Sequence, residues 1–305
     1  MSHLKLESRR RAPAPLTLLC CLMVAVALPV NASEEHPTTE EHTATEEHTA
    51  DEGHAEGEKR RRARAAGQGP PYLGSQRSWF FVSVLPGEDD ASVLGVEFES
   101  YFDLGPYRVK NISYFELADY PRPIPGQPAG NPSPGTEVVS YGLGDLLSGF
   151  WASGRAKPHR KHHVAWGAAF QFPTADSTSL GSGKYSLGPS VDYEYESGDW
   201  FAGFIALNLW SVAGDSDRKR VNFLMVKPFV YYEISEKWQA TYVPYGISVY
   251  WDKPSGENIY FPVGGGLQRT LGKHTHISLQ GFQNVLRPSK GTKYDVRLMF
   301  EIVFQ

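Results

Sequence analysis

Four histidines near the start of the chain stand beside carboxylates at regular spacing. Glu34-Glu35-His36, Glu40-Glu41-His42 and Glu46-Glu47-His48 recur every six residues, and Asp51-Glu52-Gly53-His54 follows. Imidazole next to carboxylate is a donor set for Zn, Cu or Ni, so His36, His42, His48 and His54 are candidate metal ligands. A solvated low-complexity tail is the competing reading of the same residues.

A second set of polar groups alternates with apolar ones at the other end of the sequence. Tyr294, Val296, Leu298, Phe300, Ile302 and Phe304 occupy every second position, with Asp295, Arg297 and Glu301 between them. Such alternation makes a β-strand with one apolar and one charged face. If the apolar faces of such strands meet lipid, the polar groups are forced into a lumen, because an Arg or Lys facing lipid near the midplane costs about 2–4 kcal/mol. Lys227, Asn284, Asp295, Arg297, Glu301 and Asn208 are then the candidate solute-orienting groups. Gln171, Ser186, Ser190, Asp192, Glu233, Gln268 and Gln280 share the lumen with them. Phe223, Phe229, Tyr231 and Phe282 fall in the same phases, so rings and polar groups mix. That mixture suits a small amphipathic or aromatic solute. The alternative is a narrow barrel filled by its own side chains and their salt bridges.

Other chemistries find little support. The two cysteines, Cys20 and Cys21, lie in an apolar segment at the start, so no disulfide framework or thiolate site is expected. Gly181-Ser182-Gly183-Lys184 lacks the spacing and the following helix of a phosphate-binding loop. His159, His162, His163, His274 and His276 are the histidines after the tail, and all fall at or beside strand ends, which makes a hydrolase site hard to assemble. No cofactor is expected. The 30 basic and 34 acidic residues give no concentrated basic face, so nucleic acid is not an expected partner.

The elements that would position the lumen groups are legible by composition. Residues 1–32 combine Arg9-Arg10-Arg11, an apolar run from Leu16 to Val30 and the small-residue site Val30-Asn31-Ala32, and are expected to be a cleaved signal peptide. The run is shorter than the roughly 20 apolar residues of a spanning helix. Residues 33–71, with the histidine repeats and the basic run Lys59 to Arg64, have almost no large apolar side chain and are expected to be a disordered tail. Residues 72–305 are the expected barrel. Period-two segments fall at about 78–85, 92–103, 106–118, 137–152, 162–173, 184–196, 199–213, 221–234, 236–251, 257–271, 274–287 and 292–304. Connections after even segments are mostly tight and several after odd segments are long and polar, as in outer-membrane barrels with short periplasmic turns. Gly154 to His162 breaks that pattern. Trp200, Trp238, Trp251, Tyr250, Tyr260 and Tyr294 cluster at segment ends as interface girdles do. No later stretch is long and apolar enough for a spanning helix, and only a closed barrel pairs every backbone group in lipid. A soluble sandwich or lipocalin-like barrel is the alternative architecture, but about a dozen strands is many for one soluble sheet domain. The expected fold is thus an all-β, antiparallel transmembrane β-barrel of about 12 strands with a disordered N-terminal tail. It would sit in the outer membrane of a Gram-negative bacterium, with lipid and a small solute as partners.

Several local strings are also familiar. Gly142-Leu143-Gly144-Asp145-Leu146, Gln171-Phe172-Pro173-Thr174-Ala175, Leu180 to Pro189, Trp210 to Asp215 and Pro262-Val263-Gly264-Gly265-Gly266 resemble those of the "meta-pathway of phenol degradation" family of outer-membrane transporters. The resemblance covers residues 140–305 best. It implies a transporter-like barrel associated with aromatic compounds, and it carries over no catalytic residue.

Overall fold

The computed structural model describes residues 76–85, 91–118, 142–154, 161–177, 180–272, 274–289 and 291–304. The expected signal segment and the tail with its histidine repeats lie outside these residues. Among the described residues there is no helix. The strands are β1 (Gln76–Leu85), β2 (Ala91–Leu104), β3 (Tyr107–Ala118), β4 (Gly142–Leu143), β5 (Leu146–Gly154), β6 (His162–Phe172), β7 (Lys184–Ser197), β8 (Trp200–Gly214), β9 (Asn222–Ser235), β10 (Trp238–Tyr242), β11 (Ile247–Tyr250), β12 (Ile259–Thr270), β13 (Thr275–Leu286) and β14 (Tyr294–Phe304).

Two pairs of these are halves of one crossing. β4 and β5 both pair with β3, and β10 and β11 both pair with β9 and β12. Every neighbour in sequence is an antiparallel neighbour in the sheet, and β1 closes on β14 through Phe80↔Phe300 and Ser83↔Arg297. The result is a closed 12-strand antiparallel barrel. Closure leaves no sheet edge whose unpaired N–H and C=O groups would each cost several kcal/mol in lipid. All twelve crossings fall on the segments that period-two alternation marks.

The alternation sets the two faces. Along β14, Asp295, Arg297 and Glu301 are buried, whereas Tyr294, Val296 and Phe304 are exposed. Val212, Leu267, Leu279 and Val285 belong to the same outward apolar belt. Trp200 packs on Tyr232 with ring centroids 4.6 Å apart at the end carrying the short turns, and Trp210, Trp251 and Tyr294 are exposed at the end carrying the longer loops. Two of the expected girdle rings lie elsewhere: Tyr250 and Tyr260 are buried inside the barrel, Tyr260 completely. Their strands begin and end at the loop-side mouth, where the interior is packed with apolar side chains.

The core is therefore the lumen itself. In the loop-side half Leu209, Phe223, Tyr250 and Tyr260 form one buried cluster with Leu147, Leu207 and Met225. Phe81, Val93, Tyr114 and Tyr245 form a second, against which Leu180 and Met299 pack. Leu180 belongs to the connection between β6 and β7, so that connection contributes a side chain to the interior.

Candidate functional site in the barrel lumen

Where β10 gives way to β11, the chain leaves the sheet. Val243, Pro244, Tyr245 and Gly246 make no pairing with either neighbouring strand, and all four are buried. Proline cannot donate to a ladder, which favours the break at this point. Gly246 has φ +146°, a conformation that L side chains rarely adopt, and it returns the chain to the sheet. The opposing β12 carries Gly264, where a Cβ would lie 2.0 Å from the Gly281 carbonyl oxygen.

This excursion is held by the lumen face of β13 and β14. Arg297 Nη1 donates to the Val243 carbonyl at 3.1 Å, and Val243 N–H donates to Gln280 Oε1 at 3.0 Å. Period two places Asp295 beside Arg297 on one face, and Nη2 donates to Asp295 Oδ2 at 2.5 Å. Arg297 Nε donates to Ser83 Oγ at 3.2 Å, and the Tyr245 hydroxyl donates to the same oxygen at 3.0 Å. The guanidinium also stands 3.8 Å from the Tyr245 ring centroid, with Phe81 and Phe282 at 5.3 and 5.7 Å. Phe81 stacks in turn on Tyr114 at 5.8 Å, and the Tyr114 hydroxyl donates to Glu116 Oε2 at 2.6 Å. One chain of contacts thus runs across the lumen from β13 and β14 through the excursion to β3.

The loop side of this crossing is closed by more than side chains. β4 and β5 are separated at Gly144 and Asp145, and the Asp145 carboxylate accepts from Gln171 Nε2 at 2.9 Å, Ser182 N–H at 2.7 Å, Ser182 Oγ at 2.7 Å and Ala175 N–H at 3.3 Å. These bonds draw the β6–β7 connection over the mouth. Arg218 donates to the Gly181 carbonyl from the β8–β9 connection, and the Lys184 ammonium donates to the Asp215 carbonyl.

Toward the short turns the interior opens into a cavity of about 170 Å³. Trp79, Tyr101, Trp151, Phe201, Phe229 and Tyr231 give it ring walls, and Glu97, Glu99, Lys110, Glu194, Lys227 and Glu301 give it charge. The Lys110 ammonium meets Glu194 at 2.8 Å, Asp192 at 3.0 Å and Glu99 at 3.8 Å. Lys227 meets Glu97 at 2.5 Å. Trp151 Nε1 donates to Ser190 Oγ at 2.8 Å, which fixes one ring edge.

Arg297, Asp295, Lys227 and Glu301 lie inside the barrel, all on or beside this cavity. Asn284 is inside but in the loop-side half, where its Nδ2 donates to the Thr292 carbonyl at 3.0 Å. Asn208 is a correction. It shares its phase on β8 with the exposed Trp200 and Trp210, while the buried Leu207 and Leu209 face inward, and its Oδ1 accepts from Trp251 Nε1 at 2.8 Å on the outer face. The polar residue of that strand points out because the lumen beside it is packed with leucine. His36, His42, His48 and His54 lie outside the described residues. Lys110, Glu99, Glu97 and Glu194 were not among the sequence candidates, although Glu97, Glu99 and Tyr101 alternate with Val96 and Phe98 in the phase that identified β14. Tyr245 had no periodic signal, and Val243-Pro244-Tyr245-Gly246 is the local mark of its excursion.

The closed barrel has counterparts among solved structures. An outer membrane channel of the COG4313 group from Pseudomonas putida F1 aligns with 77% of this chain and 97% of its own, at 12% identity and a TM-score of 0.51. The chain is an outer-membrane-type β-barrel. The NanC porin aligns over 76% of this chain and 100% of its own at 11% identity and a TM-score of 0.43, and CdiB from Acinetobacter baumannii over 77% and 60% at 8% identity and 0.37. The first of these likenesses establishes the fold. No protein-family model matches the sequence, and no curated protein matches it.

Proposed function

We propose that this chain is an outer-membrane channel or transporter for small hydrophobic or aromatic solutes, resident in the outer membrane of a Gram-negative bacterium with its short turns toward the periplasm. The observation that carries the reading is the ring-walled cavity of about 170 Å³ within the lumen, bounded on the loop side by the Arg297-held excursion. A packed structural barrel has no need of such a space, whereas a solute path needs a place for its solute and a means of excluding bulk water. Lys227, Arg297, Asp295 and Glu301 orient the polar end of the solute and the rings cover its apolar body. Asn284, in the loop-side half, acts before the solute reaches the cavity. The resemblance of residues 140–305 to the phenol-degradation transporter family supports an aromatic solute.

A second reading, a structural or adhesive barrel with a permanently plugged lumen, has its own observation: Leu209 and Tyr260 are fully buried in the loop-side half. Single-channel recording of the purified protein, with uptake of labelled aromatic compounds by a deletion strain, separates the two. Conductance together with an uptake defect supports the channel. Silence in both favours the plugged barrel.

A further inference from the structure

We infer that three lumen glycines, Gly95, Gly149 and Gly203, set the size of the solute that the cavity takes and limit it to molecules with a single aromatic ring. The inference rests on the channel reading for its biological use and narrows the solute class of that same lumen. All three glycines fall in the inward phase of their strands. Gly95 precedes Glu97 and Glu99 on β2, Gly149 lies between Leu147 and Trp151 on β5, and Gly203 lies between Phe201 and Ile205 on β8, and these flanking side chains line the cavity. At each glycine a ring occupies the place of the missing side chain. A Cβ added at Gly149 would overlap the Cη2, Cζ2 and Cζ3 edge of Trp151, one at Gly95 the tip of Phe81, and one at Gly203 the tip of Phe229. Phe81 is the cross-strand partner of Gly95, and Phe229 that of Gly203. A ring whose tip covers a neighbouring Cα lies along the wall and not across the lumen. The space is kept clear because the wall beneath these rings carries no side chain.

A ring over a glycine also stabilises a sheet. What makes these pairs a measure of solute size is that the rings are held where they lie. Trp151 Nε1 donates to Ser190 Oγ at 2.8 Å, and that hydroxyl donates to the Ala206 carbonyl at 2.9 Å. Phe81 is backed by Tyr114 and Tyr245, with ring centroids 5.8 and 5.7 Å away, and Phe229 by Phe201 at 5.4 Å. A methyl group at Gly149 therefore drives the indole into the cavity or breaks its bond to Ser190. The cavity measures about 170 Å³. An apolar cavity of about 150 Å³ admits one benzene, so one ring fits here and a second fused ring does not.

Titration calorimetry on the purified protein in detergent, with detergent alone subtracted, tests this with benzyl alcohol and 2-naphthalenemethanol, neutral probes that differ by one fused ring. The wild type should bind benzyl alcohol saturably and at least tenfold more tightly than the naphthyl probe. Gly149→Ala should weaken benzyl alcohol binding by fivefold or more, and adding Trp151→Phe should restore it, because the smaller ring leaves room for the methyl. Gly95→Ala should act in the same direction as Gly149→Ala. Heat-modifiable gel migration shows that each barrel is folded. Equal or tighter binding of the naphthyl probe by the wild type, no saturable binding of benzyl alcohol, or wild-type affinity in a folded Gly149→Ala barrel would overturn the inference, and the first two need no variant. Size-selective binding without conductance would sustain the site and contradict the channel reading, and conductance without size preference would do the reverse.

Discussion

The Arg297 guanidinium on β14 donates to the main-chain carbonyl of Val243, 54 residues earlier in the chain, at 3.1 Å. A charged side chain of one strand thereby holds open a break in another. Because Arg297 is 3% exposed and its partner Asp295 equally so, neither charge has water to fall back on.

Arg297→Met should therefore cost about 3–5 kcal/mol, since it leaves the Asp295 carboxylate buried and unpaired. The double variant Asp295→Asn, Arg297→Met should recover part of that loss. Equilibrium unfolding of the refolded barrel in lipid vesicles measures both, and equal losses in the single and double variants would mean that the pair is not coupled.

The two lumen lysines should differ. Lys110 is shared by three carboxylates and nearly buried, whereas Lys227 has one partner and a quarter of its side chain exposed. Lys110→Met is expected to cost about 3–5 kcal/mol and Lys227→Met on the order of 1 kcal/mol. The same unfolding measurement checks the order.

Asp145→Ala removes four acceptor contacts at the loop-side mouth. The stranded donors of Gln171 and Ser182 should cost about 1–3 kcal/mol, and the β6–β7 connection should become sensitive to protease. Limited proteolysis followed by mass spectrometry would locate the cut between residues 173 and 183.

Lys253, in the connection between β11 and β12, lies 4.5 Å over the Tyr250 ring. Burial and then the nearby Lys219 push its ammonium below the ordinary lysine value of 10.5, with Glu257 opposing. A lysine depressed in the fold binds fewer protons there than in the unfolded chain over the window between the depressed value and 10.5. Stability therefore rises with pH across that window and is lower below it. Carbon-13 spectra of the reductively methylated protein should show Lys253 titrating below the other lysines. Lys219→Ala should move it up and Glu257→Gln down.

The strand pattern is legible wherever apolar outward and polar inward residues alternate, as they do in β14 through Asp295, Arg297 and Glu301. The phase of β8 was not legible. Phe201, Phe204, Ile205, Leu207, Leu209 and Trp210 put large apolar groups on both faces, so Asn208 is a weak marker of phase, and it points outward to Trp251. Tyr250 and Tyr260 were misplaced for a related reason. An apolar lumen removes the contrast between faces on which the pattern depends. The excursion at Val243 to Gly246 and the Asp145 latch rest on contacts between residues far apart in sequence, which no local pattern encodes. Charge pairing across the lumen, such as Lys110 with Glu194, is of the same kind.

The lumen is proposed above as a solute path closed by the Arg297-held excursion. Its most direct test is single-channel conductance in planar bilayers of the wild type beside the charge-neutral double variant Asp295→Asn, Arg297→Gln. Small or brief openings are expected for the wild type and larger, longer ones for the variant, because Val243 has lost its anchor. Two equally silent barrels, both correctly folded by heat-modifiable migration, would contradict it.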